Sequence, residues 1–213
     1  MATPVAHSAV SSVVPSRLPE VLAAVFVTVF VALGVAPYDR TVWYMEVTPV
    51  ITIFLLLAVT ARQFRFSGAA YLLMAVWLFW HTVGGHYTFE RVPFGFITDA
   101  FGFARNHFDR VGHFSVGFYA YAFAELLTRR RLAGPVVTML FALFAIMAVA
   151  CGWEILEWWV ADAEGGEAGL AFLGSQGDVW DAQKDMLADT LGAVFALVLF
   201  RLFGRRWGSM DPV

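Results

Sequence analysis

Charge is what this chain has least of. Only 15% of its 213 residues are charged, where soluble domains carry about 25%. Cysteine is almost missing: Cys151 stands alone, which rules out an intrachain disulfide. Its place in an apolar run reads as that of a small buried hydrophobe. The net charge is −3 and no basic patch interleaves with aromatics, so nucleic acid is excluded as a partner. No phosphate-cradling glycine loop, nucleophile elbow or HExxH helix occurs, which removes the commonest nucleotide, serine-hydrolase and zinc-protease signatures. Internal repeats, heptads and low-complexity tracts are also lacking.

What the chain has is hydrocarbon. Hydrophobic residues make up 60% of it, aromatics 16%, and the mean hydropathy is +0.69. The apolar residues are bunched into uncharged stretches rather than spread at amphipathic spacing, as lipid-facing segments are. The stretches lie at 19–37, 47–61, 68–84, 111–128, 133–158 and 186–203. These predict an all-α, polytopic membrane helix bundle of about six transmembrane helices. The first, second and sixth are short against the roughly 20 residues of a straight span, so interfacial residues complete them. Pro49 is expected in the first turn of the second segment, where proline is tolerated. A small-residue stretch, Gly34 to Ala36, ends the first run, but Pro37 follows it. That run therefore reads as a retained helix and not as a cleaved signal. The domain organisation expected is a flexible tail over 1–18, the bundle over 19–204 and a C-terminal cytoplasmic tail over 205–213.

Basic residues orient the bundle. Arg17, Arg62, Arg65, Arg129, Arg130, Arg131, Arg201, Arg205 and Arg206 all fall on one side, nine of the 14 basic residues. By the positive-inside rule both termini are cytoplasmic, and the long loops near 85–110 and 159–185 face outward. Trp43, Trp80, Trp153, Trp158, Trp159 and Trp180 sit near the outward ends, as an interfacial belt would.

Titratable residues from four segments reach this same outer face. His81 and His86 close the third segment, and Arg105, His107, Asp109, Arg110 and His113 open the fourth. Glu154 and Glu157 lie near the outer end of the fifth, and Asp178, Asp181, Asp185 and Asp189 lead into the sixth. Asp109 and His113 are four apart and Glu154 and Glu157 three apart, so each pair shares a helix face, as do the four aspartates. Carboxylates suit magnesium, calcium or manganese, and added imidazole shifts the preference towards zinc, iron or manganese. A divalent ion held there would polarise a phosphoryl or carbonyl oxygen and acidify a bound water.

Blander readings apply to some of these residues. Asp178 and Asp181 suit helix capping, His107 and Asp109 a helix start, and Glu164 and Glu167 a solvated loop. His81 and His86, five apart, share no helical face. Glu125, four before Arg129, reads as an exposed ion pair. Asp189 lies 12 residues before Arg201, about 18 Å into the slab, where an ionisable residue is by default functional. The competing account of Asp185, Asp189, His113 and Glu157 is a buried network that locks the bundle, with Arg105, Arg110 or Lys184 as counter-charges.

The residues from His81 to Thr88, from Arg105 to Arg110, from Glu154 to Trp158 and from Leu173 to Met186 resemble the uncharacterised bacterial inner-membrane family typified by YjdF. That resemblance, over about 40–200, implies a bacterial inner-membrane protein with no assigned biochemical role. A shorter outline is similar to VanZ-type envelope proteins: Asp109 to Phe114, a glutamate at 154 or 157, and Asp185 and Asp189 followed by Gly192. Those proteins usually carry Asn where Asp189 stands, and the likeness points only to the cell envelope.

Two functions are expected from these features. The first is a metal-dependent, hydrolase-like membrane enzyme acting on a lipid or lipid-linked envelope substrate at the outer face. Its catalytic residues would be Asp109, His113, Glu157, Asp185 and Asp189, and its metal ligands His113, Glu154, Glu157, Asp185 and Asp189. Arg105, Arg110, His81 and His86 would contact substrate. The second is a small transporter or a binding or assembly protein that uses the same carboxylates for cations or protons.

Overall fold

The computed structural model describes residues 17–204 and is all-helical over them. The two tails, 1–18 and 205–213, lie outside the described residues apart from Arg17 and Leu18. The helices are α1 (Leu18–Gly34), α2 (Arg40–Thr60), α3 (Gly68–Tyr87), α4 (Gly95–Phe101), α5 (Phe108–Val116), α6 (Tyr119–Arg129), α7 (Pro135–Glu164), α8 (Gly166–Leu173) and α9 (Asp181–Phe203). Of these, α2, α3, α7 and α9 are long and apolar enough to cross a membrane, and α1 is a shorter apolar helix.

The remaining expected span, 111–128, is built in two pieces. Helices α5 and α6 are joined through Gly117 and Phe118, both in right-handed helical conformation. Around the joint the bonds tighten to i→i+3, from Phe118 N–H to the Ser115 carbonyl and from Tyr121 N–H to that of Phe118. Such a short tight stretch inside a helix often marks a functional position.

Helices α5, α6 and α7 pack on α9 and α6 also packs on α7, α1 and α2 pack on α3, and α3 joins the two groups through α5 and α6. The core between α3, α6, α7 and α9 is rich in small residues: Ala70, Ala120, Ala124, Ala142, Ala193 and Ala196. Small residues let helices that share lipid as solvent approach closely, since dispersion and not water exclusion holds them. Larger apolar side chains such as Val31, Val59, Val136 and Leu202 turn outward, towards hydrocarbon.

Several expectations are corrected here. Helix α2 begins seven residues before the expected 47, because the Asp39 carboxylate caps it by accepting from Thr41 and Val42 N–H. Pro49 is therefore in the helix interior and not in its first turn. The loops near 85–110 and 159–185 contain α4 and α8, whose apolar runs are too short to stand out by periodicity. Glu164 and Glu167 fall on helix ends, exposed as expected. Cys151 is exposed on α7 and not buried. Of the tryptophans expected at the outward ends, Trp158, Trp159 and Trp180 are exposed, Trp43 is buried, and Trp80 donates to the Phe108 carbonyl while stacking on its ring.

Glu125 is corrected as well. It is buried, and its carboxylate accepts from Ser67 N–H (2.7 Å), the Ser67 hydroxyl (2.6 Å) and the Arg129 guanidinium (2.7 Å). It thus closes the start of α3 from α6, while the Ser67 hydroxyl caps Ala70 N–H. Glu125→Ala would strand two buried donors, so a loss of about 3 kcal/mol is expected. Thermal unfolding in detergent measures it, and a change below about 0.5 kcal/mol would return Glu125 to the exposed-pair account. At this end of the bundle Arg129 also donates to the Arg65 carbonyl and Arg130 to that of Gln63. The basic residues of the two short connections thus gather together.

Candidate metal centre

The opposite end of the bundle is polar inside. The i, i+4 spacing of Asp109 and His113 puts both on one face of α5, and that of Asp181, Asp185 and Asp189 makes a stripe on α9. These two faces meet. His113 Nδ1 lies 3.0 Å from Asp189 Oδ2, and its Nε2 lies 3.7 Å from Asp109 Oδ1. One ligand atom each of Asp109, His113 and Asp185 lie within 4.8 Å of one another. With Asp189 accepting the Nδ1 proton, the Nε2 lone pair is directed to the side where Asp109 stands. His113, Asp185 and Asp189 are buried.

Close backbone contact makes this meeting possible. A Cβ on Gly192 would stand 1.9 Å from the Phe114 carbonyl oxygen, and one on Gly117 would stand 2.5 Å from that of Asp189. Only hydrogen fits at either position, so α5 and α9 cross backbone to backbone next to the His113–Asp189 pair.

The arginines are engaged. Arg105 pairs with Asp181 and donates to the Ser175 carbonyl (3.1 Å). Arg110 Nη2 donates to Asp181 Oδ1 (2.7 Å), and its Nη1 stands 3.2 Å from Asp185 Oδ1. That Asp185 oxygen is held by the Arg110 charge without a well-aligned hydrogen bond, and Asp189 Oδ1 and Glu154 Oε1 accept none. Buried carboxylate oxygens left without donors are costly and leave room for a further polar partner.

Around this cluster the loops are stitched. The Asn106 amide donates to the Glu90 and Val92 carbonyls, and Gln176 exchanges bonds with the Asn106 backbone. Asp178 accepts from Lys184 (2.6 Å) and from Trp180 N–H. The Lys184 ammonium, that N–H and Arg110 hold its carboxyl below the ordinary range. Burial, with Arg105 and Arg110 adding to it, keeps the His107 imidazole below its usual value. Asp178 thus holds the turn ahead of α9 without capping the helix, whose start has no side-chain cap, while Asp181 is the anchor of the two arginines. Asp181→Ala should therefore remove the one carboxylate that Arg105 and Arg110 share, leaving them Asp178 and Asp185, at a cost of about 3 kcal/mol. Amide exchange over 102–107 and 174–180 is expected to rise at least about tenfold, whereas unchanged protection there would show that the arginines do not hold these loops.

A cavity of about 570 Å³ opens beside the cluster, lined at this end by Glu46, His81, Asp109, His113, Glu157 and Asp189. Glu157 Oε1 accepts from Trp153 Nε1 at 2.5 Å. The His81 ring packs edge-on to Phe89 and Trp153. His81 Nε2 lies 3.1 Å from the Glu46 carbonyl and 3.0 Å from its Oε2. A carbonyl only accepts, so Nε2 carries the proton. His86 points elsewhere, with Nδ1 2.7 Å from the Leu33 carbonyl; α3 runs on to Tyr87, so the two histidines indeed share no face.

The structure thus brings Asp109, His113, Asp185 and Asp189 together, lines the same cavity with Glu157 and His81, and leaves His86 outside it. Glu154 is half-buried on α7 and not among the cavity's lining residues. Glu46 went unnoticed in sequence. An acid in an apolar stretch is itself a signal, and it was masked by the late start assigned to the second helix.

This fold and polar centre define an integral membrane protein. The chain matches, over residues 18–206, the family described as "Predicted membrane protein (DUF2238)", and it belongs to that family. Among curated relatives, the "Inner membrane protein YjdF" of Escherichia coli (strain K12) is 36% identical over 173 residues, which cover 80% of this chain and 82% of the relative. The chain is accordingly a multi-pass protein of the bacterial inner membrane. No solved structure matches it.

Proposed function

We propose that this is a six-span membrane enzyme, with both termini in the cytoplasm, that uses a divalent cation to hydrolyse a lipid or lipid-linked envelope substrate at the outer face. The gathering of basic residues at the far end of the bundle supports the orientation. The continuous helical conformation through Gly117 and Phe118 supports counting α5 and α6 as one broken span. The observation that carries the function is the convergence of a His113 ring nitrogen, Asp109 and Asp185, with Asp109 and His113 lining the cavity.

In this reading Asp109, His113 and Asp185 hold the ion, which suits zinc, manganese or iron. Ligand atoms around a tetrahedral ion lie about 3.4 Å apart, so small side-chain rotations would close the 4.8 Å group. When bound, the ion would polarise a phosphoryl or acyl oxygen of the substrate. Asp189 orients His113 by accepting its Nδ1 proton, as second partners of ligating histidines do. Glu157, which lines the same cavity, takes the proton from the attacking water and returns it to the leaving group. Arg105 and Arg110, both committed to Asp181, position the aspartate stripe and add positive potential for an anionic head group.

The test is the metal content of purified, folded wild type, Asp185→Asn and His113→Ala. Stoichiometric metal in the wild type and its loss from both variants is the expected result. No metal in any form after divalent ions are added would leave Arg110–Asp185 and His113–Asp189 as a lock between α5 and α9. A second reading, passage of cations or protons, is favoured by one observation: a second buried acid–imidazole pair, Glu46–His81, on the same cavity. Cation flux in vesicles without turnover would select it.

A further inference from the structure

The cavity does not end at the polar cluster. On α2 its lining continues from Glu46 through Pro49, Ile53, Leu56 and Leu57 to Thr60, and then to Gln63. On α5 and α6 it continues from His113 through Val116, Tyr119, Phe123 and Leu126 to Arg130. Both sets recur at three and four residues, so each is one continuous stripe along its helix. Polar side chains stand at the two ends and the stretch between is almost wholly apolar. Glu46 to Thr60 spans 14 residues of helix, about 21 Å, whereas half of a bilayer's hydrocarbon core is about 15 Å. The groove therefore runs past the depth of one leaflet.

It also faces the membrane. Helix α2 packs on α3 and α8, and neither α6 nor α7 is among its main neighbours. Along this side the lips carry exposed apolar residues, Leu56 (61% exposed) on α2 and Val149 (53%) on α7. A hydrocarbon chain can enter from the side without crossing water, while its head group stays at the polar end.

From this geometry we infer that the groove seats one hydrocarbon chain longer than a single leaflet accommodates, carried by a lipid phosphate whose head group lies at the Asp109–His113–Asp185 cluster. The head-group half rests on the proposed cation, because the carboxylates alone would repel a phosphate. One ligand atom each of Asp109, His113 and Asp185 within 4.8 Å of one another, and a buried Asp189 oxygen that accepts no bond, support a cation at that end. The chain half rests on the length and the lateral opening of the groove.

The experiment uses the full chain in nanodiscs with manganese or zinc, and long-chain polyprenyl monophosphates carrying a photoreactive group at the chain end. The expected crosslinks fall on peptides containing Leu56, Thr60, Phe123 and Leu126, and they move towards Pro49 and Val116 as the chain is shortened. Leu56→Trp and Val149→Trp, at exposed lip positions that leave the core intact, should each lower this labelling at least about tenfold. Labelling spread evenly over the outer faces of α1 and α9, or indifferent to both substitutions, would overturn the inference. A two-chain phospholipid with the same label that competes equally would overturn the long-chain assignment. Metal content of the same samples separates the two proposals: site-specific labelling without metal removes the cation and keeps the chain site, and metal with diffuse labelling does the reverse.

Discussion

Gly192→Ala is expected to yield little folded protein, with a loss of at least about 3 kcal/mol in what remains. The added methyl would stand 1.9 Å from the Phe114 carbonyl oxygen. No side-chain rotation relieves that contact, because the obstacle is backbone. Helices α5 and α9 would have to separate by about 1.5 Å to reach ordinary contact. That separation acts directly on the His113–Asp189 bond, now 3.0 Å long. A misplacement of about 1 Å costs a site on the order of a hundredfold in rate. Gly117→Ala should behave alike, as its Cβ would stand 2.2 Å from Ala193 N. Gly152→Ala is the control. Nothing lies within 4 Å of its Cβ position on α7, so the exchange should be neutral or stabilising by up to about 1 kcal/mol. Thermal unfolding and size-exclusion profiles in one detergent compare the three. Equal behaviour of Gly192→Ala and Gly152→Ala would show that the close crossing is not what holds this end together.

Asp189→Asn is expected to weaken divalent-cation binding by about 10- to 100-fold without abolishing it, whereas Asp185→Asn abolishes stoichiometric binding. The difference follows from where the two carboxylates stand. Asp185 offers an oxygen to the same small volume as a His113 ring nitrogen and Asp109. Asp189 instead lies behind the imidazole, on Nδ1. Loss of a histidine's supporting carboxylate usually costs 10–100-fold in metal affinity. The amide oxygen of asparagine can still accept the Nδ1 proton, so the ring keeps its orientation and loses the adjacent charge. Titration of zinc or manganese into the folded variants measures both affinities. An unaltered affinity in Asp189→Asn would remove His113 from the ligand set. Complete loss in that variant would make Asp189 a ligand itself.

How much of this was legible before the fold was known varies by residue. The membrane class and the apolar helices followed from runs of uncharged residues, because a backbone in lipid has few solutions besides the helix. The pairing of Asp109 with His113 and the stripe from Asp181 to Asp189 followed from spacing alone. Glu125 and Cys151 did not, since burial at a helix end depends on which neighbour covers it. Ser67 lies 58 residues before Glu125, and no local pattern links them. Glu46 was hidden by a helix boundary misplaced by seven residues, although Asp39 ahead of Thr41 and Val42 is a cap that a stricter reading of helix starts would find. Helices α4 and α8, seven and eight residues long, are shorter than any periodicity window.

The sequence by itself determined that this protein lives in a membrane, which residues share each helix face, and that acids and imidazoles collect at one end of the bundle. These are consequences of composition and of the 3.6-residue turn, both local. Only the tertiary structure decided that Asp189 stands on His113 Nδ1, that Arg105 and Arg110 are tied to Asp181, and that Glu46 and His81 line the same cavity. Which helix faces meet, and how closely, depends on backbones brought together from distant parts of the chain. Here that contact is allowed by two glycines 75 residues apart, Gly117 and Gly192, whose missing side chains mark no partner in the sequence.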